Sequence, residues 1–237
     1  MIDKYFKTND GVKLHYIEGG EGYPLVIVHG WKSEAVEYCH NLEELSKYFH
    51  VYFLEHRGHG SSEKVSFGHR ISRLAMDLNE FLCLIEHDKV NIICHSMGCG
   101  VVWNYIDLFG QERINKLICI DIGPFMLKNP EETKEENDLH GAVISDIWGV
   151  YNKLSISMEE GDLEYNKQVP EPLDDISTES KYYQQYKKLE RTKLDNKFHA
   201  PLFFNMAAND WRDVIKRIYV PTLYIAGETS RVNTPTL

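Results

Sequence analysis

The sequence predicts an α/β protein whose sheet is mostly parallel, covered by helices on both faces and joined by a helical insertion near its end. Three observations carry this. Short apolar runs without polar alternation recur, as in PLVIVHG (24–30), KVNIICHS (89–96) and KLICIDIG (116–123). Such runs fit strands buried on both faces. Stretches with helical spacing separate them, and strand–helix alternation implies right-handed crossovers. Beyond Gly123-Pro124 the texture turns acidic, aromatic and helix-prone.

The elements follow in order. KLHYIE (13–18) alternates apolar with polar, as a half-buried strand does. After PLVIVHG, SEAVEYCHNLEELSKYF (33–49) has helical spacing, with Ser33 as its cap and Glu37 behind it. VYFLEH (51–56) is another strand. HRISRLAMDLNEFLCLIEH (69–87) sets Ile71, Leu74, Leu78, Leu82 and Ile85 on one helical face. KVNIICHS and KLICIDIG flank the helix MGCGVVWNYIDLFG. Late in the chain, NDWRDVIKRI (209–218) reads as a helix returning to the sheet and VPTLYIAG (220–227) as one more buried strand. The expected organisation is a core of residues 1–123 and 201–237 with residues 124–200 as a helical lid.

Composition bounds the function. The chain has 237 residues, enough for one large α/β domain, and its 43% hydrophobic content supports a sizeable core. With 36 Asp+Glu against 26 Lys+Arg, the net charge of -10 repels phosphate backbones and anionic lipid. Nucleic acid and membrane are therefore not expected as partners. MIDKYFKTND lacks the apolar stretch of a signal peptide, and no run approaches the roughly 18 apolar residues of a spanning helix. The cysteines at 39, 83, 94, 99 and 119 are odd in number and form no C-x-x-C pair. They read as reduced, buried thiols of a cytoplasmic protein, not as staples or zinc ligands. No metal or cofactor is expected, and the partner is a small-molecule substrate.

The chemistry concentrates in NIICHSMGCG (91–100). A strand, then a serine between small residues, then a helix is where a nucleophile elbow sits. Its crowded turn needs small residues two before and two after the nucleophile. Gly98 meets that demand, and Cys94 meets it in part. The other reading makes Ser96 an ordinary helix N-cap. HGW (29–31) follows a buried strand directly, and HRGHGSS (56–62) ends the next one. All three segments fall at the carboxyl ends of parallel strands, where open α/β sheets place their ligands.

In His29-Gly30-Trp31, Arg57-Gly58-His59-Gly60, AMDLNEFL, His95-Ser96-Met97-Gly98 and PTLYIAGE the chain resembles the α/β-hydrolase superfamily. The likeness is to its lid-bearing branch of esterases, C–C hydrolases, haloalkane dehalogenases and cofactor-free dioxygenases. It implies Ser96 as nucleophile and the backbone N–H groups of Trp31 and Met97 as the oxyanion hole. His29, Gly30, His95 and Trp148 are the expected pocket residues. The aromatic residues Trp148, Tyr151, Tyr182, Tyr183, Tyr186, Phe203 and Phe204 either line an entrance or pack the lid onto the sheet.

Most members of the family carry an aspartate shortly after the strand matching TLYIAG. Here that stretch reads GETSRVN, with Ser230 near the expected position. Other members place the acid at the end of the strand after the nucleophile helix, where this chain has Asp121. An aspartate ending an apolar strand needs a partner, and an imidazolium would serve. It could instead bond the Gly123-Pro124 turn or cap a lid helix. Glu228 is the second choice for the acid. The family histidine belongs beyond one further helix and strand, whereas every histidine here lies at or before His199. The expectation is therefore a chain lacking roughly 30–40 residues of the complete fold, inactive without its base.

Three function classes remain. The first is a serine hydrolase acting on a small or medium ester, thioester, lactone or related carbonyl compound through an acyl-enzyme. The second is a cofactor-free dioxygenase of aromatic heterocycles, where the serine only positions the substrate. The third is a non-catalytic member that binds a ligand beneath the lid. Dehalogenation needs a carboxylate nucleophile, so Ser96 argues against it.

Overall fold

Among residues 1–139, 141–169, 192–227 and 230, which the computed structural model describes, one sheet collects every apolar run. Its strands are β1 (Ile2–Lys7), β2 (Lys13–Gly19), β3 (Pro24–Val28), β4 (His50–Leu54), β5 (Val90–His95), β6 (Ile114–Ile120) and β7 (Thr222–Ile225). Their spatial order is β1-β2-β4-β3-β5-β6-β7. Pairing is parallel from β4 to β7, and β1 and β2 add on antiparallel at the β4 end.

The helices are α1 (Cys39–Leu45), α2 (Ile71–Leu84), α3 (Met97–Phe109), α4 (Lys134–Leu139), α5 (Ile147–Ile156), α6 (Met158–Gln168), α7 (Asn196–Ala208) and α8 (Arg212–Ile215). Strand alternation divides the core. Val26 and Val28 pack with Leu74, Leu78 and Trp103 of α2 and α3, whereas Leu25 and Ile27 pack with Leu42 of α1 and Phe53. Both faces of β3 are thus covered, as its unbroken apolar run requires. No described helix is long and apolar enough to cross a membrane.

Several sequence expectations change. IDKYFK forms β1, although its exposed side chains carry no apolar period; the full register from Ile2↔Glu18 to Lys7↔Lys13 holds it. The helix expected over 33–49 is a 3-10 turn, Ala35–Tyr38, followed by α1 alone. Ser33 does not cap it. Glu34 stands at the cap, and its carboxylate accepts from the Thr192 amide and hydroxyl at 2.9 and 2.7 Å instead. NDWRDVIKRI yields only the short α8: the Asp210 carboxylate takes the Arg212 N–H at its start, and the Arg217 and Ile218 amides bond the Val214 and Ile215 carbonyls in tight turns at its end.

β7 is not a buried strand. Among the described residues it pairs only with β6, and Leu223, Tyr224 and Ile225 are exposed. Cys39 and Cys83 are exposed rather than buried, since each sits on an outward helix position.

One buried ion pair binds two of the motif segments together. The Arg57 guanidinium, fully buried, donates from Nε and Nη2 to the Asp77 carboxylate of α2 at 2.6 and 2.7 Å. It also donates to Asp10 at 2.9 and 3.1 Å. Burial opposes ionisation of Asp10, but the bonds from Arg57 and Thr8 hold its carboxyl at about 2. RGHG and AMDL are therefore two halves of one brace. Asp77→Ala leaves a buried guanidinium short of its partner, and should cost about 3–5 kcal/mol of stability. Urea unfolding of the purified variant measures this, and a loss below about 1 kcal/mol would contradict the brace.

Candidate active site

Ser96 stands between β5 and α3 with φ 50° and ψ −123°. A non-glycine residue there is strained by about 1–3 kcal/mol, and surrounding structure must over-determine it. Three contacts do so. The Ser96 N–H donates to the Ile120 carbonyl at 2.9 Å, and the Ser96 carbonyl accepts from Cys99 N–H at 2.9 Å. Gly98 supplies the third, since a Cβ there would lie 2.2 Å from the Val28 oxygen and 2.8 Å from the His29 oxygen. Only glycine lets the first turn of α3 seat against the end of β3. The Ser96 side chain makes no cap hydrogen bond to α3, contrary to the N-cap reading. It is half-buried and borders a narrow cavity with Met97, Ile122, Pro124, Met206 and Trp211.

The expected oxyanion donors flank it. Met97 is the first residue of α3, so its amide is among those that find no acceptor within the helix and point at the positive helix end. A Cβ on Gly30 would come 3.1 Å from Ser96 Cβ, so the HGW loop lies against the serine, with Trp31 following. Trp31 packs on Phe203 of α7 at 4.6 Å between ring centroids. Lys32 has φ 63° and bonds both Asp162 oxygens of α6 at 2.6 and 2.7 Å. The loop is therefore fastened to the helical segment, through a residue that the sequence did not single out.

Asp121 directly follows β6 and has φ 57°. Its amide donates to the Ile225 carbonyl at 2.9 Å, and its Oδ1 accepts from Gly227 N–H at 3.3 Å. The carboxylate is thus aimed across the ends of β6 and β7. Ser230 donates its N–H to the Gly227 carbonyl at 3.0 Å. Glu228, Tyr182, Tyr183 and Tyr186 lie outside the described residues.

The remaining pocket residues take other positions. His29 is fully buried, with Nδ1–H donating to the Gly30 carbonyl at 2.8 Å and Nε2 accepting from His56 N–H at 3.1 Å. It braces the loop after β3 with both nitrogens. His95 Nδ1 is 2.8 Å from the Tyr38 hydroxyl, on the α1 side of the sheet. Trp148 is 60% exposed and packs on Phe204 and Tyr151 at 4.6 and 5.9 Å. Neither is among the residues that border the Ser96 cavity.

Behind Trp31 four imidazoles pack together. Ring centroids lie 4.4 Å apart for His29–His56, 5.1 Å for His29–His59 and 4.6 Å for His59–His199. The approach of α7 here depends on Gly58, at φ +76°, where a Cβ would lie 2.5 Å from the Phe198 ring. All four imidazoles are buried. Scattered over 170 residues, they give no sequence signal as a group (199 − 29).

This cluster dictates an acid sensitivity. Burial pushes His29 and His199 down to about 4, while an unfolded histidine titrates near 6.5. Between those values the unfolded chain binds more protons, so stability falls as pH drops from about 6.5 towards 4. Each histidine contributes roughly 3 kcal/mol at completion. His15 acts in the opposite sense: despite burial, its bonds to Glu55 and Asp3 raise it, so its contribution is lost as pH rises. His56, His59 and His95 are lowered by burial in the same sense as His29 and His199, so five histidines oppose His15. Urea midpoints should be clearly lower at pH 5 than at pH 7.5, and an equal or higher midpoint at pH 5 would contradict the assignment.

Comparison with known proteins fits this geometry. The model of the alpha/beta hydrolase fold family matches residues 23–237. The chain is 32% identical over 119 residues to a soluble epoxide hydrolase of Corynebacterium sp. (strain C12), covering 50% of this chain and 41% of that protein. It is 31% identical over 134 residues to the non-heme chloroperoxidase CPO-A1 of Kitasatospora aureofaciens, covering 54% and 49%. The chain thus spans less than half the length of these two curated relatives. A bromoperoxidase structure from Bacillus anthracis superposes with a TM-score of 0.78 at 22% identity, covering 96% of this chain and 82% of that one. With the elbow, the parallel sheet and the family match in agreement, the chain belongs to the α/β-hydrolase fold family.

Proposed function

We propose that the protein is a serine hydrolase of a small or medium ester, thioester, lactone or related carbonyl compound. The observation that carries this reading is the strained Ser96, held against the Gly30-Trp31 loop at the N-terminus of α3. Ser96 Oγ attacks the carbonyl carbon while its proton passes to a base. The Trp31 and Met97 amides receive the oxyanion, where fixed donors lower the barrier most. The leaving group departs with the proton, and water then cleaves the acyl-enzyme by the same steps.

Among the described residues no imidazole is hydrogen-bonded to Ser96. The reading therefore assigns the base to a histidine outside them, oriented by Asp121. Asp121 is preferred to Glu228 because its strained backbone and bond to Gly227 fix its carboxylate at the end of β6, beside the elbow. Residues 124–200 serve as the lid, with Lys32–Asp162 as its anchor to the oxyanion loop. The free thiols suit a reducing, cytoplasmic setting.

The likeness to an epoxide hydrolase is less compatible with Ser96. Attack by a serine hydroxyl on an epoxide carbon leaves an ether, which has no carbonyl for water to attack. A carbonyl substrate leaves an acyl-enzyme that does.

Substitutions in an active preparation of the protein test the assignment. Ser96→Ala should lower kcat on a chromogenic ester by roughly 10⁴–10⁶-fold with the fold retained. Asp121→Asn should be far more damaging than Glu228→Gln, because an amide at 121 cannot stabilise the imidazolium. Less than a tenfold loss for Ser96→Ala would remove the nucleophile from the account. Greater damage from Glu228→Gln would move the acid to the later strand.

A further inference from the structure

Three cysteines converge directly behind the elbow. Cys94 and Cys119 are register partners on the parallel strands β5 and β6, with their Sγ atoms 3.6 Å apart. Cys99, in the first turn of α3, closes a triangle whose three sulfur atoms all lie within 4.8 Å of one another. All three are buried. The sequence hid the group, because two members come from different strands and the third from the helix above them. Nothing in the proposed hydrolysis uses them.

The chemistry of the triangle limits what it can hold. Among the described residues no histidine, carboxylate or further cysteine joins the group. Zinc takes four ligands, so on three thiols it would need a water as the fourth. A divalent ion on three thiolates also keeps a net negative charge, which is costly in a buried apolar site. Burial pushes the Cys94 and Cys99 thiols up, while hydrogen bonds from both of them pull Cys119 down.

We propose that Cys94, Cys99 and Cys119 form a binding site for a three-coordinate, thiophilic centre of the trivalent arsenic class. Arsenous acid reacts with three thiols by exchange: three As–O bonds break, three As–S bonds form, and three waters leave carrying the thiol protons. No electrons are transferred, and the product is neutral. That neutrality suits the buried apolar triangle, and a pyramidal centre takes three sulfurs and no fourth ligand. Tyr224, the register partner of Cys119 on β7, bonds the Cys119 thiol and covers the triangle from the β7 side, so entry of the ligand requires that side chain to move aside.

The test uses the chain with its two exposed thiols removed, Cys39→Ser and Cys83→Ser, incubated with sodium arsenite. Native mass spectrometry should show one arsenic per chain, at a mass gain of one arsenic less three hydrogens. X-ray absorption at the arsenic edge should count three sulfur neighbours. Adding Cys99→Ala should abolish the three-sulfur site. Failure to retain arsenic, a count of two sulfurs or fewer, or retention with unchanged coordination after Cys99→Ala would overturn the proposal. If Cys99→Ala fails to fold, the sulfur count on the parent chain decides alone. None of these readouts depends on hydrolysis.

Discussion

The contact on which the site depends is the approach of α3 to the carbonyl end of β3. Val28 and His29 present their oxygens to a helix turn at a distance that no Cβ could occupy, and Gly98 makes that turn possible. With α3 seated there, the chain leaving β5 has no room for an ordinary turn, and Ser96 absorbs the difference as a positive φ. The strain is not local to the serine. Among the described residues, the non-glycine positions with positive φ are Lys32, Ser96 and Asp121. They follow β3, β5 and β6 respectively, so all three lie at the carboxyl end of one sheet. Strain of this kind persists only where the surroundings enforce it, and it gathers at functional sites. Here it gathers the Gly30–Lys32 loop, Ser96 and Asp121, the residues proposed as oxyanion loop, nucleophile and acid, at the carboxyl end of the sheet.

Polar groups buried beneath that edge keep the loops in place. Arg57 with Asp77 fixes the loop after β4 to α2. Glu55, 3% exposed, accepts from Ala35 N–H at 2.7 Å, Ser61 N–H at 2.6 Å and the His15 ring at 2.9 Å. Burial opposes its ionisation, yet these donors hold its carboxyl at about 2. The neutral imidazoles fill the space between the HGW loop and α7. Their burial couples the site to pH through the fold itself, separately from any catalytic base.

Much of this was legible in the sequence, for identifiable reasons. Strands buried on both faces must be apolar throughout, so β3 declared itself. β5 and β6, also read as buried, prove buried on one face and only half-buried on the other, where Asn91 and Lys116 stand. The elbow declared itself because its crowding dictates small residues. β1 gave no signal, since backbone pairing with β2 holds it while its side chains face solvent. β7 misled, because its apolar residues imply a burial that the described neighbours do not provide. Arg57 and Asp77 stand within recognisable motifs, but their pairing across 20 residues is a tertiary fact. The thiol triangle was hidden for the same reason. Trp148 reads as a pocket residue from its type alone, while its position on α5 turns it outward onto Phe204.

The central claim is that the strained Ser96 is the reactive nucleophile of this fold. The most direct measurement is to treat an active preparation of the protein with a fluorophosphonate and locate the adduct by peptide mass spectrometry. The account predicts one phosphonylated residue, Ser96, with hydrolysis lost in proportion to labelling. An adduct on another residue, or full hydrolytic activity with Ser96 unmodified after exhaustive treatment, would contradict it.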